Sequence, residues 1–311
     1  MKNRCGIKSL TVFIVLFVCN CVTSVNPDFC DYQSSVVVNS ILVPDSFIKV
    51  HISSSLRSDL SERIISIDDA LVLISGDSSK YITTHFGNGI YGDSICPTAG
   101  KGYKLEIVMK NGNRLFGYTK IPEIPNIILT PFPDENQVKV TIVDNSNEDN
   151  FYWVGQKSFT YSGWMMYYET YVSSDFNLFD DFNRTRSADI TGRMNNSYHF
   201  YARLPDTKFK GKEVSFKIPH YFSDSEDYNN LPFRVYLYII NADEHLDQYM
   251  KSALIQYDLG VIGDMPVFHT PVDMYSNIEN GKGIFGSYTI SQFDITTPES
   301  IYQNNETGNT K

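Results

Sequence analysis

The sequence predicts a mainly β protein: an N-terminal immunoglobulin-like sandwich, then a larger antiparallel β-domain carrying one amphipathic helix. Three observations predict it. Short β-branched and aromatic runs, bounded by Gly, Pro, Asn or Asp, recur along most of the chain. Asn111-Gly112-Asn113 sits between two such runs, the strongest short-range hairpin signal, because Gly and Asn tolerate positive φ. One segment, His245 to Tyr257, changes to helical spacing, with Leu246, Tyr249, Met250, Ala253, Leu254 and Tyr257 on one face.

In order, Ser34–Ile41 and Phe47–Ser53 read as a strand pair around Val43-Pro44-Asp45-Ser46. In the second, Ile48, Val50 and Ile52 alternate with Lys49, His51 and Ser53, the pattern of a half-buried strand. Ala70–Ser75 is a further strand, and Tyr81–Phe86 leads into the Gly87-Asn88-Gly89 turn. Gly102–Lys110 and Arg114–Lys120 complete the hairpin. Short strands without a convincing helix are the pattern of a sandwich. Residues 122–136 hold Pro122, Pro125, Pro131 and Pro133, which remove ladder donors and stiffen the chain, so they read as a linker or an edge crossing. Gln137–Val143 alternates cleanly. Phe151–Phe159, Trp164–Val172, Ser197–Ala202, Val214–Pro219 and Phe233–Asn241 are strand candidates. Asp175–Arg193 is a polar surface loop. Asn241 or Asp243 is placed to cap the helix. The predicted organisation is 1–20 leader, 21–33 tether, 34–121 sandwich, 122–136 linker, 137–295 β-rich domain and 296–311 polar, frayed tail.

The leader decides where the rest resides. Lys2, Arg4 and Lys8 precede a short apolar run, Leu10–Val18, and then Cys19-Asn20-Cys21. A basic head, an apolar stretch of roughly ten residues and a cysteine at the exit is the layout of a bacterial lipoprotein export signal. The run is short of the roughly 20 residues that cross a bilayer. Met1–Asn20 is therefore expected to be removed and Cys21 to be lipid-modified, with Cys19 as the rival site. An uncleaved anchor and ordinary secretion are the competing readings.

The 311 residues are 42% hydrophobic and 20% charged, a composition that supports a packed core. Loss of Lys2, Arg4 and Lys8 leaves 23 basic against 36 acidic residues, a balance of −13. That excludes nucleic acid as an expected partner, since phosphate needs basic surface. It also leaves membrane attachment to the acyl chains. Of five cysteines, Cys30 and Cys96 remain in the mature chain beside Cys21. An oxidising compartment allows them to bridge; two unpaired thiols is the other reading.

A resemblance then becomes specific. Ser35-Val36-Val37-Val38-Asn39, Ile48-Lys49-Val50-His51-Ile52-Ser53 and Asp69-Ala70-Leu71-Val72 follow the cysteine in order. Gly89-Ile90-Tyr91, Gly102-Tyr103-Lys104-Leu105 and Asp144 with Asn150-Phe151-Tyr152 come next. Ser276-Asn277-Ile278-Glu279-Asn280-Gly281-Lys282-Gly283-Ile284-Phe285-Gly286 is the strongest match. Together they resemble a Bacteroidota lipoprotein family, domain of unknown function 4249, from about Ser34 to Ile290. The resemblance implies an outer-membrane lipoprotein, often encoded beside a TonB-dependent receptor, and supplies no activity or catalytic residues.

Chemistry-bearing motifs are sparse. His51, His85, His199, His220, His245 and His269 form no metal-ligand spacing. There is no Gly-x-Ser-x-Gly elbow and no nucleophile–base pattern. Acidic clusters occur at Asp144–Asp149, Asp180-Asp181 and Asp224–Asp227. Asp144, Asn145, Asn147 and Asp149 offer oxygens to calcium but lack the glycine and closing glutamate of the helix-loop-helix site; a solvated turn is the alternative. Tyr161–Tyr171, with Trp164, Tyr167 and Tyr168, reads either as a stacking platform for a flat ligand or as a strand buried between layers. Asn277, Asn280 and Phe285 read either as a contact loop for a partner or as a tight turn with Phe285 plugging the core.

The expected function is a non-catalytic accessory or binding protein, held to the outer membrane through its N-terminal lipid and acting with a TonB-dependent receptor or a small nutrient or glycan. Its periplasmic or cell-surface face is left open, and no cofactor is expected. A glycan- or peptide-active hydrolase using acidic residues of the second domain, and a structural envelope protein, are the alternatives.

Overall fold

The computed structural model describes residues 33–56, 64–76, 80–145, 147–160, 165–167, 201–220, 222, 233–261 and 273–307. Its architecture turns on one long strand near the end of the chain, β17 (Lys282–Asp294). The first half of β17 pairs in parallel with β1 (Val36–Leu42), from Val37↔Lys282 to Leu42↔Ser287. The second half pairs antiparallel with β16 (Phe233–Ala242), from Ala242↔Tyr288 to Tyr236↔Asp294. A parallel neighbour must come from a distant part of the chain, and here it comes from the opposite end of the folded region.

Around β1 the sheet continues through β2 (Lys49–Ser54), β7 (Ile90–Gly92) and β6 (Thr84–Gly87), with the short β3 (Ile65–Ser66) also on β2. A second sheet runs β5 (Lys80–Ile82), β4 (Leu71–Ser75), β8 (Gly102–Val108), β9 (Arg114–Lys120). Their inward residues, Val38, Val50, Ile52 and Tyr91 against Val72, Ile74, Leu105 and Ile107, form one core. Gly87, Asn88 and Gly89 all take positive φ at the β6–β7 turn. In the β8–β9 hairpin only Gly112 of the Asn-Gly pair does so, while the Asn111 side chain accepts the Asn113 N–H at 3.0 Å.

The expected boundary at 121 is corrected here. Ile278 and Phe285 are part of the N-terminal core, so residues 34–121 do not close their own sandwich. Gly117 on β9 lies against Phe285, where a Cβ would come within 3.0 Å of the Phe285 Cβ. Gly283 has φ +106°, and a Cβ there would stand 2.0 Å from the Val38 carbonyl oxygen. The Asn-Gly-rich stretch before β17 thus lets two backbones approach closely.

The C-terminal half extends the same large sheet through β16, β12 (Phe151–Thr160), β13 (Met165–Tyr167) and β14 (Tyr201–Pro205). A three-stranded sheet of β10 (Asn126–Phe132), β11 (Gln137–Val143) and β15 (Glu213–Pro219) covers one face. Tyr152, Val154, Leu237, Ile239 and Phe293 meet Leu129, Val140, Ile142, Phe216 and Ile218 there. The predicted helix, α1 (Glu244–Val261), covers the other face, with Leu246 and Met250 against Trp153, Ile240 and Tyr288. Residues Ser35–Lys311 cluster as one compact unit.

Two further expectations are corrected. The Pro-rich linker contains the edge strand β10. Leu129 turns its N–H and carbonyl away from β11, toward Asn305. Pro131, two residues on, therefore points its missing donor the same way, as edge prolines do. The frayed tail instead forms α2 (Pro298–Thr307). Thr297 Oγ1 accepts the Ser300 N–H at 3.2 Å and Ser300 Oγ accepts the Thr297 N–H at 3.1 Å, a reciprocal cap. Ile301 anchors the helix in the core.

Candidate functional site

The fold assembles three buried polar clusters: one just past β11, one under α1, and one where β9, β17 and the start of α1 meet. The first surrounds Asp144, just past β11. Its Oδ1 accepts the Tyr152 hydroxyl at 2.7 Å and the Asn150 amide at 3.1 Å. Its Oδ2 accepts the Gly211 N–H at 2.7 Å. Both oxygens are thereby engaged by donors, the wrong arrangement for a calcium ligand. Asp206 accepts the Asn150 N–H at 2.8 Å. Burial, more than the repulsion of Asp144, raises the Asp206 carboxyl above its usual range, against the pull of that N–H. Burial and the bond to Asp144 also hold the Tyr152 phenol far above its ordinary range. Lys120 and Lys210 reach Glu148 and Asp149 on the outside of the loop. The loop predicted as a solvated turn or calcium site is thus a braced turn.

The second cluster is an ion pair under α1. Arg203 donates Nε to Asp247 Oδ1 and Nη2 to Oδ2, both at 2.6 Å, and Trp153 Nε1 donates to Oδ1 at 3.1 Å. The two side chains are 7% and 1% exposed, so the fork is fully desolvated. Arg203 also lies over the Phe151 ring. None of these residues stood out in the sequence, because a lone Arg in a strand and an Asp in a helix carry no motif.

The third cluster joins the two halves. Thr119, Asp243 and Ser287 meet in hydrogen-bond contact. Thr289 Oγ1 and Asn241 Nδ2 both donate to the Glu123 carbonyl, at 3.3 and 3.2 Å. Of the two cap candidates, Asn241 and Asp243, it is Asp243 that caps α1, accepting the Leu246 N–H at 2.8 Å.

Cys21 and Cys30 lie outside the described residues; Cys96 is exposed and has no disulfide partner among the described residues. Trp164 and Tyr168 lie outside them too, as do Asp180-Asp181 and Asp224–Asp227; Tyr167 ends β13. Asn277 and Asn280 serve the backbone. Asn277 Nδ2 donates to the Phe285 and Tyr118 carbonyls and its Oδ1 accepts the Phe285 N–H. Asn280, at φ 62°, donates to the Arg114 carbonyl. Phe285 is 0% exposed, so its side chain fills the core, where no partner reaches it.

Of the histidines, His220 is buried and its imidazole is pushed down to about 4, chiefly by burial. His85 Nε2 bonds Asp68 Oδ1 at 2.8 Å at the surface, and the same oxygen accepts the Gly89 N–H at 2.6 Å. That pair braces the β6–β7 turn. Among the described residues, no group of His, Cys, Asp and Glu is arranged to hold a metal ion, and no helix is long and apolar enough to cross a membrane.

Comparison with known proteins adds one assignment. No curated protein matches the chain. Among solved structures, a DUF4785 family protein from Legionella pneumophila subsp. pneumophila str. Philadelphia 1 is similar at 10% identity and a TM-score of 0.24. The alignment covers 67% of this chain and 51% of that one, so this chain spans about half the length of that relative. The family model "Domain of unknown function (DUF4249)" matches residues 22–294, most of the sequence, and the chain belongs to that family.

Proposed function

We infer that the protein is an outer-membrane lipoprotein that works without catalysis, as a binding or accessory partner of a TonB-dependent receptor in nutrient uptake. One observation carries the reading: Cys21 directly follows the expected leader, Met1–Asn20, and the family match begins at the next residue. A lipid on Cys21 leaves a short tether before β1 begins at Val36, enough chain to hold the β-structure clear of the headgroups. Of the acidic residues a hydrolase could draw on in the second domain, Asp144 is committed to Tyr152, Asn150 and Gly211; Asp180-Asp181 and Asp224–Asp227 lie outside the described residues. Ile82 and Phe86 are each 67% exposed on neighbouring segments, apolar surface of the kind that partners cover.

Growth with labelled palmitate tests the anchor. The wild type incorporates label and Cys21→Ala does not. A wild type that is unlabelled and free in the medium removes the reading. Label kept by Cys21→Ala and lost by Cys19→Ala moves the anchor to Cys19. Affinity purification from detergent-solubilised membranes at native expression tests the partnership separately: the receptor co-elutes, and its consistent absence contradicts the accessory role.

A further inference from the structure

Where β9 ends, three segments distant in sequence converge on Asp243, and its two carboxyl oxygens are used differently. Oδ1 accepts two backbone N–H groups, from Leu246 at 2.8 Å and from Ser287 at 3.2 Å. Oδ2 faces the Thr119 hydroxyl at 2.5 Å. From there the contacts continue, Thr119 Oγ1 to Ser287 Oγ at 2.8 Å and Ser287 Oγ to the Lys120 carbonyl oxygen at 3.0 Å. Thr119 and Ser287 are 0% exposed and Asp243 is 8% exposed, so the row is shielded from bulk solvent.

The row contains three oxygen–oxygen contacts, and the two hydroxyls supply only two hydrogens. Its far end is a carbonyl, which only accepts. Ser287 therefore donates to Lys120, and Thr119 donates to Ser287. The hydrogen between Thr119 and Asp243 must then come from the carboxyl. An ionised carboxylate only accepts. It would turn the Thr119 hydroxyl toward itself. Either the Thr119–Ser287 contact would then have no hydrogen between its oxygens, or Ser287 would leave the Lys120 carbonyl. A 2.5 Å separation belongs to the short end of O–H···O bonds.

We propose that Asp243 is held as the neutral acid in the folded protein, donating into a Thr119–Ser287–Lys120 relay that latches the end of β9 to β17 and to the start of α1. Loss of the proton to solvent at higher pH opens this latch. The surroundings fit. Strands β9 and β17 present hydroxyls and peptide groups to the carboxyl, and Lys120 directs its ammonium to Glu148 instead. Helix α1 presents His245, whose positive form favours ionised Asp243, and His245 Nδ1 contacts the Tyr275 hydroxyl at 2.7 Å. Glu244, the other carboxylate at the start of α1, acts on Tyr275. Burial outweighs these influences and lifts the Asp243 carboxyl above its ordinary range. The inference is independent of the membrane role.

The linkage sign is fixed. A carboxyl raised by folding contributes its full stabilisation below its unfolded value of 3.8. It loses that contribution as pH rises toward its folded value. Thermal unfolding of the full chain from about pH 5 to about pH 9, comparing wild type, Asp243→Asn and Asp243→Ala, is the test. The Asn amide accepts at Oδ1 and donates at Nδ2, as the neutral acid does. Asp243→Asn is expected to fold, to lie near the wild type at the acid end, and to gain on it steadily as pH rises. Asp243→Ala melts lower than Asp243→Asn throughout. At about pH 6, above the ordinary carboxylate range, the wild type shows an infrared protonated-carboxyl band that Asp243→Asn lacks. An Asp243→Asn chain that fails to fold, a stability gap that does not move with pH, or absence of that band overturns the proposal.

Discussion

The two halves of the molecule solve the same problem differently. The C-terminal half closes itself: its central sheet is covered on one face by β10–β11–β15 and on the other by α1. Its edge strand β10 is capped by Asn305 of α2, which bonds both backbone groups of Leu129. The N-terminal half is left open. Ile82 and Phe86 stay exposed on β5 and β6, and β1 takes its second neighbour from β17. Borrowed closure makes the N-terminal half depend on a strand made last, whereas the C-terminal half depends on local packing. An exposed edge is a liability in a protein with no partner and a resource in one that has a partner.

Changes at the shared strand sharpen this contrast most. Phe285→Ala removes the largest C-terminal contribution to the N-terminal core, and is expected to cost about 3–5 kcal/mol, read by urea unfolding. A loss below about 1 kcal/mol would mean that the N-terminal half closes without β17.

The ion pair under α1 tests the packing of the C-terminal half. Arg203→Met leaves Asp247 buried without its fork and is expected to cost about 3–5 kcal/mol. Arg203→Met with Asp247→Leu recovers most of that loss, because neither charge is then stranded. Equal losses in the single and double variants would show that packing, not charge, dominates there.

A smaller effect comes from pH. His220 stays neutral in the fold, so its contribution is complete above its unfolded value of 6.5 and is lost as pH falls toward about 4. That span sets a ceiling of roughly 3 kcal/mol. The acid-side loss is expected to flatten in His220→Leu, seen in melting temperature against pH. The Asp243 contribution runs the other way, declining as pH rises. From about pH 4 to 6.5 the two contributions oppose each other, so each is read as the difference between the wild type and its own variant, His220→Leu or Asp243→Asn.

How much of this was legible beforehand follows from the range of each signal. Alternation in Phe47–Ser53 and Gln137–Val143, the Gly87-Asn88-Gly89 turn, and the helical spacing of α1 are local, and the fold honours them. The β1–β17 pairing is not local: nothing in Val36–Leu42 names its neighbour, and the partner sequence reads as an ordinary final strand. Helix α2 was written in Thr297-Pro298-Glu299-Ser300, a cap followed by proline at the first position. Its polar body, with Ile301 as its buried apolar anchor, hid it. The Asp144 cluster was visible as composition, but only the fold shows that Tyr152 and Gly211 fill its oxygens. The Thr119–Asp243–Ser287 relay had no signal, because Thr and Ser are unremarkable in strands and the count of hydrogens requires all three in one place.

The claim on which the rest depends is that one strand makes the two halves a single folding unit. Native-state hydrogen exchange on wild type and Phe285→Ala tests it most directly. Core amides of β8 and β9 and those of β12 and β16 are expected to lose protection by the same amount. Loss confined to β1–β9, with β12 and β16 unchanged, would show two independent units and contradict it.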